Sequence, residues 1–242
     1  MNLYDMHCHI DLMTSMTDFA SEAKKMGISV LAVTTTPKAY AKEITSLRSF
    51  ANIRVGLGLH PQLVSERFNE LSLVEKYIGE ADYIGEIGLD FNSRFYSSKE
   101  NQIIVFENII KWCSQKGGKV ISIHTVRSDK TVLDILEKYR CTEKNKCILH
   151  WFSGSMTQLR RAVEMGCYFS INGIMIKSPN GQKLIPSFPI EKVLTESDAP
   201  FINNIGTPQQ LEAEIRSVEM YLSAIWSQNT TEIIHSTSKS FF

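Results

Sequence analysis

Residues 4–10 read YDMHCHI, and this stretch places two histidines at the end of an apolar start. In a β-strand successive side chains alternate between faces, so His7 and His9 point the same way, while Cys8 points the other way and is predicted to pack. Two adjacent imidazoles repel each other when both are charged, and a divalent cation bound to both keeps them neutral. A lone pair of this kind is more often a polar strand end with two solvated histidines. The metal-binding interpretation therefore requires partners elsewhere in the chain.

Length and composition limit the class of protein. The 242 residues, 27.5 kDa, fit one large domain or two small ones, and single α/β barrels have about this size. Lys+Arg and Asp+Glu both number 26, so no global basic field predicts binding to nucleic acid or membrane, although a local basic groove is compatible with this balance. The five cysteines are irregularly spaced without a CxxC pair, and neither a signal-peptide pattern nor a membrane-length apolar run is present. These features predict a soluble cytoplasmic protein.

Short apolar segments alternate with amphipathic segments along the chain. Strands are predicted at Leu3–His9, Ile28–Thr35, Ile53–Leu59, Tyr83–Ile87, Val120–His124, Cys147–His150, Tyr168–Ile171 and Lys192–Thr195. Helices are predicted at Thr17–Met26, Lys99–Lys116, Lys130–Tyr139 and Ser155–Met165, and several of them end at a glycine. Short apolar strands separated by helices indicate a parallel sheet that is buried on both faces. Eight such units predict a closed (β/α)8 TIM barrel as a single domain over residues 1–242, with a doubly wound open sheet as the alternative.

Histidines and carboxylates concentrate where predicted strands end. The candidates are His7 and His9 in YDMHCHI, His60 in GLGLHP, Glu86 in YIGEIGLD, His124 in VISIHT, His150 in CILHWFSG and Asp198 in VLTESDAP. The C-terminal ends of barrel strands converge on one mouth, so these residues are predicted to meet there. The sixth histidine, His235 in TTEIIHSTSKSFF, lies away from any predicted strand end and is predicted to be structural or solvated.

Each position also has a purely structural interpretation. Glu86 could be a surface turn residue, but a carboxylate inside YIGEIGL is costly to bury without a cation or hydrogen-bond partners. His124 and His150, taken singly, would more often be core histidines with a backbone partner. Asp198 could cap the segment that follows it. The metal-binding interpretation depends on the whole set rather than on any one member.

The ordered set of motifs resembles the TatD-like metal-dependent hydrolases of the amidohydrolase superfamily. HCHID, GLHP, GEIGLD, the helix with Gln102 and Phe106, SIH, HWFSG and ESDAP occur in the family's order and span nearly the whole chain. The resemblance implies a barrel with a dinuclear metal site. Its ligands would be His7, His9 and Asp198 at one ion, His124 and His150 at the other, and Glu86 bridging the two. Family members are best known as deoxyribonucleases, and GLHPQ, HWFSGS and GCYFSIN are similar to the TatD-like component of the Qat anti-phage system, which implies partner subunits in a defence complex.

The ligand types predict a hydrolase. Imidazoles mixed with carboxylates suit Zn, Mn, Ni or Fe, and the family analogy leaves Mg and Mn open for turnover. Two ions about 3.5–4 Å apart activate a water and stabilise the oxygens of a phosphoryl transfer. Asp198 is predicted to take the proton of that water and to protonate the leaving oxygen, with Glu86 as the second catalytic carboxylate. His60 is predicted to donate a hydrogen bond to the substrate phosphate, with a packed histidine held by Pro61 as the alternative.

The chain departs from the family's pattern at three places. After ESDAP it reads FINNIGTPQQLEAEI, where the family usually carries an Arg-Asn-Glu-Pro run. The segment after His124 reads TVRSDK where HSRDA is common, which makes Arg127 the candidate replacement for a phosphate-binding arginine. Gln62 follows GLHP where a second histidine is common. These departures concern substrate contacts rather than metal ligands.

Three hypotheses for the function follow. A metal-dependent phosphodiesterase or nuclease acting on DNA or a nucleotide-like end is favoured by the motif match and by Arg94, Lys99 and Arg127 near strand ends. A small-molecule hydrolase, such as a deaminase, amidase or lactonase, is mildly favoured by net neutrality, because polymer binding depends on neutralising phosphates. The third is a metal-bound but weakly catalytic subunit of a defence complex, and the complete ligand set argues against it.

Overall fold

The structure, a computed structural model, describes residues 2–226 and 230–242, and its eight strands form one sheet in sequential order. The strands are β1 Leu3–Cys8, β2 Ile28–Val33, β3 Ile53–Leu57, β4 Tyr83–Asp90, β5 Val120–Val126, β6 Lys146–His150, β7 Tyr168–Ile171 and β8 Val193–Thr195. The α-helices are α1 Met16–Lys25, α2 Pro37–Leu47, α3 Val64–Arg67, α4 Leu71–Tyr77, α5 Lys99–Lys116, α6 Asp129–Lys138, α7 Met156–Glu164, α8 Pro179–Leu184, α9 Pro208–Trp226 and α10 Thr230–Lys239. Parallel strands in sequential order, alternating with helices, confirm the predicted (β/α)8 barrel class.

The strands lie where the apolar runs predict them, but several ends differ. β2 ends at Val33 rather than at Thr35, and the Thr34 N–H is shared between the carbonyls of Gly56 in β3, at 3.3 Å, and of Gly85, at 3.0 Å. β4 continues beyond Ile87 to Asp90, where the Gly88–Asp90 segment pairs with β5. Helix α5 has the predicted bounds, and the glycine that follows it adopts a φ of 72°. The β4 extension matters for the site because it places Asp90 on a strand.

One glycine allows β4 and β5 to approach closely. Gly88 stands opposite His124 in the register of these strands and has a φ of 146°, which L side chains rarely adopt. A Cβ atom at Gly88 would lie 2.1 Å from the His124 carbonyl oxygen. A substitution there would separate the two strands that carry Glu86 and His124.

The chain divides into two compact units, each with its own buried core. The first comprises Met1–Ala32, Lys42–Val55 and Phe169–Phe242, and its core includes Leu3, Met6, Ile28 and Leu31. The second comprises Val33–Ala41 and Gly56–Tyr168, and its core includes Ile84, Phe106 and Phe152. The single domain over residues 1–242 stays a prediction.

The five cysteines are free and almost wholly buried. They are Cys8, Cys113, Cys141, Cys147 and Cys167, and none exposes more than 1% of its surface. Cys8 is buried in the core, as predicted, but all of β1 is buried and its register shifts between Asp5 and Cys8, so the predicted alternation of faces stays a prediction. Among the helices that the structure describes, none combines the length and the apolar character needed to span a bilayer.

Candidate metal centre

The first cluster consists of His7, His9 and Asp198, all in the first unit. His7 lies in β1, His9 follows that strand, and Asp198 follows β8. The Asp198 Oδ1 atom lies 3.8 Å from His7 Nε2 and 3.6 Å from His9 Nε2. The side chains are buried, and their ligand atoms all lie within 4.8 Å of one another. The structure thus brings together the three residues predicted to hold one ion.

Backbone hydrogen bonds hold the two segments of the first cluster together. The Asp198 N–H donates to the His7 carbonyl at 2.9 Å, and the His9 N–H donates to the Ala199 carbonyl at 2.8 Å. Asp198 has a φ of 48°, a left-handed conformation that is uncommon for a residue other than glycine. This conformation of Asp198 is therefore fixed by its neighbours rather than by its own preference.

Asp5 ties the same two segments through its side chain. Its Oδ1 atom accepts from the His7 N–H at 3.1 Å and from the Ser197 N–H at 3.0 Å, and its Oδ2 atom accepts from the Ser197 hydroxyl at 2.5 Å. Burial raises the pKa of Asp5 to about 7, against the opposing effect of the bonds from Ser197. Asp5 thus joins the residue before Asp198 to the first histidine. This role of Asp5 was not predicted from the sequence, because it depends on contacts with Ser197, which is distant in the chain.

The second cluster, in the second unit, surrounds one carboxylate oxygen with imidazoles. The Glu86 Oε1 atom lies 2.7 Å from His124 Nδ1, 3.2 Å from His60 Nε2 and 3.4 Å from His150 Nε2. His124 and His150 face each other in the register of β5 and β6. His60 lies close enough to Glu86 to bind the same cation. Its predicted contact with the substrate phosphate stays a prediction.

Asp90 extends the second cluster beyond the residues predicted from sequence. Its Oδ2 atom lies 3.3 Å from His124 Nε2 and accepts a hydrogen bond from Gln62 Nε2 at 2.8 Å. Burial would lower the pKa of His124, but its bonds with Asp90 and Glu86 outweigh burial and raise that pKa. Burial would raise the pKa of Asp90, but its bonds with His124 and Gln62 lower it. Glu86 and Asp90 lie four residues apart on one strand, and this period-two spacing was the available signal.

The donor atoms of both clusters fit divalent metal ions. Two ligands that are each about 2.0–2.2 Å from one ion stand roughly 3–4 Å apart, as Asp198 and its histidines do. The second cluster offers His60, Glu86 and His124 within 4.8 Å of one another. Buried imidazole and carboxylate ligands suit Zn and Mn better than Ca. A carboxylate partner on the second nitrogen of His124 is the usual outer-shell contact of a metal-binding histidine.

The other residues singled out from sequence lie in different surroundings. Arg127 is exposed, directly after β5, and its role in phosphate binding stays a prediction. His235 Nε2 lies 2.6 Å from Glu219 Oε1, and the His235 ring contacts Tyr4 edge-on, so His235 has a structural role. Phe201 was not predicted from sequence. Its ring is 63% exposed and its centroid lies 5.0 Å from that of His9.

Metal-compatible clusters at the ends of parallel strands define a metal-dependent hydrolase on a (β/α)8 barrel. The chain belongs to the family described as TatD related DNase, whose model matches residues 4–242. The resemblance to the TatD-like hydrolases is thereby confirmed, and the likeness to the component of the Qat system stays a prediction.

Three similar proteins each match nearly the whole chain. A relative from Buchnera aphidicola, named an uncharacterized metal-dependent hydrolase, is 28% identical over 100% of this chain and 95% of its own length. The human protein named Deoxyribonuclease TATDN3 is 24% identical over 98% of this chain and 92% of its own. A crystal structure of YJJV, a TatD homologue from Escherichia coli K12, matches with a TM-score of 0.82 and 21% identity over 99% of this chain and 97% of that one. That structural match confirms the fold.

Proposed function

We propose that this protein hydrolyses phosphodiester bonds in DNA or at a nucleotide-like end, using two divalent ions. His7, His9 and Asp198 would hold one ion, His124 and His150 would hold the other, and Glu86 would be a ligand of both. The observation that supports the proposal most directly is the arrangement of imidazoles around two buried carboxylates, Asp198 and Glu86. Membership of a family described as DNases, with a human relative named a deoxyribonuclease, supports the choice of substrate.

Divalent ions, when bound, lower the pKa of an attacking water and stabilise the charge that develops on the phosphate oxygens. Asp198 accepts the proton of this water on a carboxylate oxygen and returns it to the leaving oxygen. The Nε2 atoms of His7 and His9 lie 3.8 and 3.6 Å from that carboxylate, and the Asp5 side chain accepts hydrogen bonds from the His7 and Ser197 N–H groups. In the second cluster Asp90 keeps the His124 ring oriented so that Nδ1 faces Glu86. These contacts fix the geometry of the reacting groups before substrate binds.

The test combines metal analysis with a substrate panel. The purified protein is supplied with Zn, Mn or Mg and incubated with end-labelled single-stranded and double-stranded DNA and RNA, beside amide, lactone and aminopurine substrates. We expect cleavage of nucleic acid at a rate that depends on the metal. Turnover of the small molecules alone would replace the proposal with the amidohydrolase alternative.

The number of ions is tested separately. Elemental analysis should find more than one divalent ion per chain, and Glu86→Ala should lose both because it removes the shared ligand. His235→Ala, outside both clusters, should retain them. One ion retained at full occupancy in Glu86→Ala would contradict the dinuclear assignment. Participation in an anti-phage complex and a cytoplasmic location stay predictions, and co-purification with partner subunits tests the first.

A further inference from the structure

We propose that the loop between β4 and α5 is a binding surface for one nucleotide of a nucleic acid strand, next to the second cluster. This aromatic platform consists of Phe91, Arg94, Phe95, Tyr96 and Lys99, in the stretch FNSRFYSSK at 91–99. It rests on the proposed function, because it specifies how a polymeric substrate is held beside the reacting phosphate. The loop starts directly after Asp90, whose carboxylate contacts His124.

Each cation of the platform lies over at least one of its aromatic rings. The Lys99 Nζ atom lies 5.0 Å from the centroid of the Phe91 ring and 5.3 Å from that of the Tyr96 ring. The Arg94 guanidinium carbon lies 5.4 Å from the centroid of the Phe95 ring. Tyr96 is 53% exposed, although a tyrosine ring would be more stable buried. Exposed aromatic rings accompanied by cations are what proteins use to stack nucleobases and to hold phosphates.

The two cations of the platform are not neutralised by carboxylates. Neither Arg94 nor Lys99 forms an ion pair with any residue that the structure describes. Four other arginines are paired, namely Arg67 with Glu70, Arg140 with Glu143, Arg161 with Asp134 and Glu137, and Arg216 with Glu212, whereas Arg48, Arg127 and Arg160 form no ion pair with a described residue. In a chain with no net charge, an unneutralised pair of cations beside a candidate phosphodiesterase site is complementary to a strand of phosphates.

The platform is held rigid by one buried glutamine. Gln102 in α5 accepts a hydrogen bond from the Asp90 N–H at 2.8 Å, and its Nε2 donates to the Phe95 carbonyl at 3.1 Å and to Ser98 Oγ at 3.0 Å. The same side chain therefore fixes the start and the end of the loop. A surface that is ordered before binding loses less conformational entropy when the ligand arrives.

The test measures binding without turnover, using the metal-loaded full chain and a labelled, phosphorothioate-linked single-stranded oligodeoxynucleotide that resists hydrolysis. Fluorescence anisotropy gives the dissociation constant over a range of salt concentrations. A second probe has the same backbone with abasic sites in place of the bases. Circular dichroism and thermal melting check that each variant is folded.

We expect Tyr96→Ala to weaken binding of the base-bearing strand by roughly 10-fold or more and to change binding of the abasic strand little. Tyr96→Phe, which keeps the ring, should bind as the wild type does. Lys99→Gln should reduce the dependence of log K on log salt by about 0.7, the value for one phosphate contact on a single strand. Lys116→Gln is the matched control, because it removes the same charge from the other end of α5, about 26 Å away along the helix.

Several outcomes would overturn the inference. These are no detectable binding of either strand by the wild type, equal effects of Tyr96→Ala on both strands, and equal salt dependence for Lys99→Gln and Lys116→Gln. The proposed function fails separately. A wild-type protein that binds the strand through Tyr96 and Lys99 but cleaves no nucleic acid would contradict the hydrolase assignment and leave the platform standing. If the wild type cleaves nucleic acid but the Tyr96 and Lys99 variants bind the strand normally, the platform is contradicted and the hydrolase assignment stands.

Discussion

The two clusters use the same ligand types but balance their charges differently. In the first, Asp198 Oδ1 stands 3.6 and 3.8 Å from imidazole nitrogens, which is beyond hydrogen-bond distance. In the second, Glu86 Oε1 is 2.7 Å from His124 Nδ1, and Asp90 is 3.3 Å from the other nitrogen of that ring. The first set of separations is typical of ligands around a shared ion, and the second includes hydrogen bonds. The first cluster thus depends more on a cation than the second does.

The carboxylates near the two clusters differ in the direction of their pKa shifts. Near the first cluster, burial raises the pKa values of Asp5, Asp11 and Glu43, and it outweighs the hydrogen bonds to Asp5 and the effect of His9 on Asp11. Near the second, hydrogen bonds from His124 and Gln62 overcome burial and lower the pKa of Asp90. Burial thus favours the protonated acids in the first region, whereas hydrogen bonds favour the ionised Asp90 in the second. Similar ligand sets can therefore differ in how strongly they need metal.

The largest expected effect comes from the carboxylate of the first cluster. Asp198→Asn keeps the shape of the side chain but removes the proton acceptor, so we expect hydrolysis to fall by roughly 10²–10⁴-fold while the protein folds normally. Steady-state kinetics with thermal melting measures both. His235→Ala should leave the rate unchanged. An unaffected rate in Asp198→Asn would assign proton transfer to another group.

The second-largest effect should distinguish His7 and His9 from the neighbouring Cys8. His7→Ala or His9→Ala should weaken metal binding by more than the roughly 100-fold seen when outer-shell partners are lost, because a ligand itself is removed. Cys8→Ala, at a side chain predicted to lie on the opposite strand face, should keep its metal. Equilibrium dialysis with Zn gives the affinities, and activity should be restored only in part by excess metal. Equal damage from Cys8→Ala would refute the same-face argument.

A smaller effect is expected in the second cluster, where Asp90 orients a ligand without being one. Asp90→Asn should weaken metal binding roughly 10-fold, since the charged acceptor for His124 Nε2 is lost but the ring remains packed. Nitrogen chemical shifts of His124 should report a changed tautomer ratio, which a general loss of stability would not produce. Ser93→Ala, on the exposed loop that follows, is the control. Unchanged affinity and shifts would show that Asp90 does not position His124.

The smallest effect concerns stability near the first cluster. Neither carboxylate oxygen of Glu43 has a hydrogen-bond partner among the described residues, and burial raises the pKa of Glu43 well above its usual range. Because the folded state then holds the proton more tightly than the unfolded state, stability falls as pH rises from the unfolded pKa towards the folded one. Glu43→Gln should not lose stability in this way, because glutamine does not titrate.

The melting temperature of Glu43→Gln, relative to that of the wild type, should therefore increase between about pH 5 and about pH 8. The expected increase is about 2–4 °C for each kcal/mol of unfolding free energy that the wild type loses. Melting curves of chelator-treated protein at both pH values test this. Glu75→Gln, at an exposed position in α4, should show no such trend. A difference that stays constant with pH would mean that Glu43 is not the source of the buried charge.

The sequence predicts the strands well because buried parallel strands are continuous apolar runs with polar residues at their ends. β7 is predicted to the residue, and His7, His124 and His150 lie at or near strand ends as expected. The end of β4 was less predictable, since Gly88 has low strand propensity and its pairing with β5 depends on tertiary contacts.

The finer parts of the site depend on register and backbone conformation that no local pattern encodes. Asp90 reaches His124 only because Gly88 and His124 are paired across the sheet. Gln62, interpreted from the sequence as a departure affecting substrate, donates to Asp90, and its effect on substrate stays a prediction. The left-handed φ of Asp198 is imposed by bonds to β1, which are distant in the chain.

The burial of all five cysteines has a consequence for labelling experiments. Thiol-reactive dyes require an accessible thiolate, so the native folded protein should react slowly. A single cysteine introduced at the exposed position Ser97, inside the aromatic platform, would then be the preferred attachment point for a fluorophore. The movement or occupancy of this surface could be followed in real time without first replacing the native cysteines, each of which would otherwise leave a defect in the core.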